Sequence, residues 1–244
     1  MFKILTFETL DSTNSYAKEH LLSLDNKHVI FTTNQLKGKG RENREWISSS
    51  NSLTFSIILK DSYSINNFST ISLLAASAVF KTLNKYVKKD LTIKWPNDIY
   101  YKNSKISGIL LESISYGENI EGIIVGIGIN LNNLNEELSV LENNAISLYQ
   151  ITNNKYDKLN ILKELLNNIE ELLLETQNNS LEYLNIIREN NYLKDKLVVA
   201  KINNKEEYVK VIDIQENNKL LVNSNNNLIE LYTDEITFNR KTLG

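Results

Sequence analysis

Residues 105–114 read KISGILLESI, and residues 120–131 read IEGIIVGIGINL. Both runs are apolar, rich in Ile, and bounded by polar residues, so they predict strands. The short connection between them makes them antiparallel neighbours in one sheet. Upstream, residues 3–8 (KILTFE) alternate as a strand, and the run Asp11, Ser12, Thr13, Asn14 offers N-cap side chains for a helix of about ten residues. Val29–Thr33, Leu53–Leu59 and residues 91–95 (LTIKW) add strands, whereas Ser69–Tyr86 carries apolar residues at three- and four-residue spacing, which predicts an amphipathic helix. Residues 35–50 lack apolar periodicity and predict a long polar loop. This order predicts an α+β fold with a mixed, mainly antiparallel central sheet flanked by helices.

Past Asn135 the pattern turns helical up to about Asn191. From about Tyr192 it becomes short strands (KLVVAKI, EYVKVIDI, KLLVNS, LIELYTDEITF) separated by Asn-rich turns at 203–204, 217–218 and 225–227. Asn tolerates left-handed backbone and can stand where Gly is scarce. The expected division is residues 1–191 as the main domain and 192–244 as a small β module.

Composition narrows the function classes. With 244 residues, 41% of them hydrophobic, the chain can bury a sizeable core. A net charge of -3 does not suggest a general polyanion binder, since DNA-binding domains usually show a basic face. The absence of cysteine excludes disulfides and thiolate zinc sites. No apolar run approaches the roughly 20 residues of a membrane helix, and no signal-peptide pattern opens the sequence, so a cytoplasmic protein without membrane or nucleic-acid partners is expected. Average usage predicts about 17 Gly and about 12 Pro; the chain has 8 and 1. The few that remain mark where the backbone needs them.

Four segments collect these scarce residues. Gln35 to Trp46 contains Gly38 and Gly40 among Lys37, Lys39, Arg41 and Arg44. Two Gly one residue apart let backbone N–H groups approach an anion, and Arg grips carboxylate or phosphate with paired hydrogen bonds. By itself a solvated basic loop explains this stretch more often. Residues 94–98 (KWPND) hold the sole Pro and one of two Trp; Asn97 and Asp98 at a strand end suit Mg²⁺ or phosphate, and a plain turn equally. In residues 105–112, Lys105 opens an apolar strand and Gly108 bares it three residues on, although a strand-end Lys is usually solvated. Residues 126–130 (GIGIN) clear one face of a strand for a flat ring or for close helix packing, and end at Asn130.

In this order and spacing, the segments resemble the biotin protein ligase family. Its pattern of Ser-Thr-Asn, GRGRxGRxW, KWPND, KxxGIL and GxGIN is matched here by Ser12, Thr13 and Asn14, GKGRENREW (38–46), KWPND (94–98), KISGIL (105–110) and GIGIN (126–130). The resemblance spans residues 5–190, and the terminal module resembles the family's SH3-like β-barrel.

The resemblance implies an ATP-dependent ligase that makes biotinyl-5′-AMP and passes biotin to a lysine of a biotin carrier domain. It implies that Ser12, Thr13, Asn14 and Gln35, with Gly38, Lys39, Gly40, Arg41, Lys105 and Gly108, bind biotin. Arg41, Arg44, Trp46, Lys94, Asn97 and Asn130 would bind ATP, Asp98 would hold Mg²⁺, and Lys105, Arg41 and Lys39 would drive the chemistry. ATP and Mg²⁺ are expected as co-substrate and ion, with no tightly bound prosthetic group. Bringing a carboxylate onto a polyphosphate joins two anions, so catalysis should rest on positioning and charge neutralisation. Lys39 stands where the family has Arg, and Asn43 where it has Gly. The motifs begin at residue 12, which leaves no expected helix-turn-helix ahead of them. A lipoate ligase and a non-catalytic biotin binder are the competing readings. Monomer and homodimer are both open.

Overall fold

The computed structural model describes residues 1–41, 44–61, 64, 67–117, 119–139, 144–202, 205–232 and 236–237. Asn43 lies outside them. Strand β1 (Lys3–Leu10) leads into α1 (Thr13–Glu19), which returns the chain to β2 (His28–Gln35). This crossover makes β1 and β2 parallel, the one parallel pairing among the described strands. The loop that follows contains a two-residue ladder, β3 (Gly38–Lys39) on β4 (Glu45–Trp46). Strands β5 (Leu53–Leu59), β6 (Leu91–Lys94), β7 (Asp98–Tyr101), β8 (Ser104–Tyr116) and β9 (Asn119–Ile129) complete the main sheet, in the order β1-β2-β5-β9-β8-β7-β6. The two stretches quoted first, β8 and β9, are antiparallel neighbours in its centre.

Side-chain parity divides the sheet into two faces. Ile30, Ile58 and Ile124 pack on Ala17 and Leu21 beside α1. Phe31, Phe55, Ile57, Val125 and Ile127 point the other way, into the main core. That core includes α2 (Phe68–Asn84), which is buried nearly all round rather than amphipathic. The residues that looked polar are satisfied within the core. Ser77 donates to the carbonyl of Leu73 or Tyr183, Thr82 donates to Ala78, and Asn168 donates to Thr82.

Among the described residues four helices follow where a helical region is expected: α3 (Asn135–Ser139), α4 (Leu148–Thr152), α5 (Lys158–Gln177) and α6 (Glu182–Glu189). Strands β10 (Leu197–Ile202), β11 (Lys205–Ile214), β12 (Leu220–Ser224), β13 (Asn227–Leu231) and β14 (Ile236–Thr237) form an antiparallel sheet ordered β13-β12-β11-β10-β14. Among the described residues no pairing joins β13 to β14, and the five strands make the small antiparallel C-terminal β module that the sequence predicts. The expected single strand over LIELYTDEITF divides into β13 and β14, and β14 leaves β13 to pair with β10. Asn225 and Asn226 both have positive φ (50° and 67°) and form the two-residue turn from β12 to β13, the backbone expected of Asn in place of Gly.

Asn218, in the β11–β12 turn at φ 68°, fastens this sheet to the rest. Its carbonyl accepts from Trp95 Nε1 (3.2 Å), its Oδ1 from Tyr183 Oη (2.9 Å), and its Nδ2 donates to Thr70 Oγ1 (2.8 Å). Trp95 is therefore a core residue at a junction, 1% exposed. Asn218→Gly keeps the backbone conformation but loses both side-chain bonds. It should lower unfolding free energy by about 1–3 kcal/mol in urea titration; a loss below about 0.5 kcal/mol would mean that water replaces them.

Candidate active site

Register places the small residues of three strands side by side. Thr54 pairs with Gly128 and Gly128 with Gly108; Ser56 pairs with Gly126 and Gly126 with Leu110; Ile58 pairs with Ile124 and Ile124 with Glu112. All of these lie on the α1 face, so the middle of the sheet is a depression floored by Gly and Ser. Its two close approaches explain the alternate Gly of β9. A Cβ on Gly126 would sit 2.2 Å from Asn14 Oδ1, and one on Gly128 would sit 2.4 Å from Cε2 of Trp46. The sequence left a flat ring or helix packing open, and both occur: Asn14 belongs to α1, and Trp46 lays its indole on the floor.

At one end of the depression stands a row of neutral groups. Ser12 caps α1, accepting from Ser15 N at 3.3 Å. Gln35 Oε1 accepts from Thr13 N (2.9 Å) and Thr13 Oγ1 (3.2 Å). Ser56 Oγ lies 2.7 Å from Thr13 Oγ1 and 2.6 Å from Asn14 Oδ1, while Asn14 Nδ2 donates to Glu112 Oε2 at 2.8 Å. Ser12, Thr13, Asn14, Gln35 and Ser56 are all buried. Ser56 and Glu112 join the site without having been expected. Ser56 was hidden in a strand read as apolar; Glu112 ended a quoted motif, and its carboxylate on an apolar strand was the available signal.

At the other end the charge is positive. Lys37, Gly38, Lys39, Gly40, Arg41, Arg44 and Glu45 line a cleft of about 620 Å³ together with Leu110 and Glu112. Arg41 donates to Asn97 Oδ1 (3.1 Å), and Asn97 Nδ2 donates to the carbonyl of Ile109 (2.8 Å), which ties the loop to the KWPND turn. Lys105 Nζ lies 2.7 Å from Asp98 Oδ1, 5.7 Å from the centre of the Trp46 ring, and 3.0 Å from where a Cβ on Gly108 would be. The ammonium therefore rests on the Gly-lined floor beside Trp46 and Asp98.

Both roots of the loop are pinned. Lys37 pairs with Asp11 at 2.8 Å, and Ser48 donates to the Gln35 carbonyl at 3.1 Å. Downstream, Asn51 bonds the Glu137 carboxylate (3.1 and 3.2 Å). Burial pushes the Glu137 carboxyl up, but bonds from Ser49, the Leu134 N–H and Asn51 outweigh it and hold the group below its ordinary range.

Lys94 and Asn130, expected at ATP, make contacts away from the loop. The Lys94 ammonium lies 5.1 Å from the ring centre of Tyr100 and 5.9 Å from that of Tyr192. Asn130 is 2% exposed; its N–H donates to Ile106 and its Nδ2 approaches the Lys105 carbonyl at 3.4 Å, so it braces the strand that carries Lys105. Asp98, expected at Mg²⁺, forms an ion pair with Lys105. Among the described residues no three His, Asp or Glu side chains gather as a metal site. The protein groups do not form a Mg²⁺ cage, which fits an ion that favours water and substrate phosphates over an all-protein site.

A family model described as the biotin/lipoate A/B protein ligase family matches residues 6–130, which include the whole depression and its loop. The chain belongs to this family. Within it, the chain is 32% identical over 123 residues to the biotin–[acetyl-CoA-carboxylase] ligase of Paracoccus denitrificans, covering 50% of this chain and 51% of that protein. It is 31% identical over 168 residues to the bifunctional ligase/repressor BirA of Bacillus subtilis, covering 67% of this chain and 51% of BirA. The chain thus spans about half the length of these curated relatives. The solved biotin protein ligase of Aquifex aeolicus, in complex with biotin and ATP, superposes with a TM-score of 0.84 at 26% identity, covering 97% of this chain and 98% of that one. The family likeness therefore extends through the C-terminal sheet. No helix among the described residues is long and apolar enough to cross a membrane.

Proposed function

We propose that the chain adenylates biotin with ATP and transfers the biotinyl group to a lysine of a biotin carrier domain. The observation that carries this reading is the polarity of the depression: a neutral hydrogen-bonding row at one end, a Gly floor under Trp46, and Lys105 with the Arg41 loop at the other. Biotin has the same order, with a neutral ureido head, an aliphatic chain and a carboxylate. The ligase names of the Paracoccus and Bacillus relatives, and the biotin and ATP in the Aquifex complex, support the assignment.

In this reading Thr13 and Gln35 hold the ureido ring, and Trp46 covers the aliphatic chain. Lys105 and Arg41 neutralise the carboxylate as it attacks the α-phosphorus of ATP. The carboxylate oxygen forms the new P–O bond, and pyrophosphate departs. Asp98 and Asn97 would be the groups nearest a Mg²⁺ ion carried by the ATP phosphates, which would add to the charge neutralisation by Lys105 and Arg41. The loop over residues 38–46 then shields the water-sensitive mixed anhydride, until the carrier amine attacks its carbonyl and AMP leaves. Residues 1–191 carry this chemistry, and Asn218 of the C-terminal module braces Trp95 in the turn that presents Asn97 and Asp98.

Incubation with ATP, Mg²⁺, biotin and a carrier domain should add one biotinyl group to the carrier, read by mass. Pyrophosphate exchange driven by lipoate and not by biotin would replace this reading with a lipoate ligase, and binding of biotin with no AMP formed would leave only a biotin binder. Lys39→Arg should slow loss of biotinyl-AMP, because a guanidinium makes two parallel bonds to an anion where an ammonium is a point charge. Faster release of the intermediate would remove Lys39 from the site.

A further inference from the structure

We propose that Glu112 is a positioning residue that sets the direction of the hydrogen-bond row and so makes Thr13 and Gln35 acceptors toward the bound ring. This rests on biotin as the substrate, since it concerns the same site. The row contains three close oxygen–oxygen contacts: Ser56 to Asn14 Oδ1 at 2.6 Å, Ser56 to Thr13 at 2.7 Å, and Thr13 to Gln35 Oε1 at 3.2 Å. Only two hydroxyl hydrogens, one each on Ser56 and Thr13, are available to fill them.

The carboxylate decides which contacts they fill. An ionised Glu112 can only accept, so it claims Asn14 Nδ2 at 2.8 Å and turns Asn14 Oδ1 toward Ser56. The 2.6 Å contact then takes the Ser56 hydrogen, and the 2.7 Å contact takes the Thr13 hydrogen. The longest contact is left without one. Gln35 Oε1 keeps only the Thr13 N–H at 2.9 Å, so it and Thr13 Oγ1 both retain lone pairs. Two adjacent acceptors suit a ligand that presents ring N–H groups, as a ureido ring does and a dithiolane does not. If Asn14 flipped, its amide nitrogen would donate to Ser56, Ser56 to Thr13 and Thr13 to Gln35, and these acceptors would be consumed.

Glu112→Gln retains the shape but permits that flip. It should raise the KM for biotin in pyrophosphate exchange about tenfold, with kcat and the KM for ATP held within about twofold. The exchanged pair Asn14→Asp with Glu112→Gln restores an obligate acceptor beside Ser56, because the Gln amide now donates to the new carboxylate. It should bring the biotin KM back to within about threefold of the parent. Circular dichroism and melting temperature identify any variant that fails to fold. A biotin KM unaffected by Glu112→Gln, an equal rise in the ATP KM, or a folded double variant that does not recover would overturn the proposal. Absence of biotin-dependent exchange in the unaltered chain would overturn the ligase reading itself, and the relay with it.

Discussion

Lys105→Ala is expected to slow biotin-dependent pyrophosphate exchange by at least about a hundredfold. The proposed reaction presses a carboxylate against the phosphates of ATP, and the Lys105 ammonium is the cation resting on the Gly floor where the two would meet. Its removal also exposes Asp98. That carboxylate now lies 2.7 Å from the ammonium, with both side chains largely shielded (24% and 20% exposed). Without Lys105 an unbalanced negative charge faces the site at which two anions must assemble, so the loss exceeds that of one favourable contact. Lys105→Met, which preserves much of the stem, should fall nearly as far, because the stem packs but does not neutralise. Exchange at a near-normal rate in either variant, with the fold intact, would take Lys105 out of the chemistry.

Gly128→Val should be comparably severe for a different reason. The first carbon of the new side chain would lie 2.4 Å from Cε2 of Trp46 and 2.6 Å from its Nε1 and Cζ2, so the indole must leave the floor. The strand itself should tolerate the change, since a β-branched residue suits its backbone. The chain has two Trp, and Trp95 is 1% exposed in the core, so a red-shifted emission in the variant reports Trp46 moving into water. Loss of the cover displaces the substrate chain, and displacements of about 1 Å in reacting groups can cost about a hundredfold in rate. An unshifted spectrum would mean that the ring finds another seat on the floor; a shifted spectrum with normal exchange would show that Trp46 is not needed to close the site.

How far the site was legible follows from how each residue is held. Lys105, Gly108, Gly126 and Gly128 stand out in sequence because a chain so poor in Gly retains it where a side chain would collide, and the close approaches at Gly126 and Gly128 are those collisions. The basic loop was legible by its charge but not as a small ladder, since two residues on each side form no periodic pattern. Ser56 was invisible: a lone hydroxyl in LTFSIIL carries no spacing signal, and its meaning comes from lying opposite Gly126 across a register that sequence does not print. The helix expected over Ser69–Tyr86 and found over Phe68–Asn84 was correct in type and wrong in exposure, because Ser77 and Thr82 bury their hydroxyls on backbone carbonyls.

By itself, then, the sequence determined the α+β class, the β8–β9 pair, the family and the chemical character of each end of the site, because periodicity, scarce Gly and charge are local properties of a chain. The tertiary structure decided the rest. It gave Asp98 to Lys105 and used Trp95 and Asn218 as the clasp of the C-terminal sheet. It also made Glu112 the end of a directed row of hydrogen bonds. Each of these depends on which groups separated in sequence come within about 3 Å, where a hydrogen bond or ion pair acts, and only strand register and helix placement determine that.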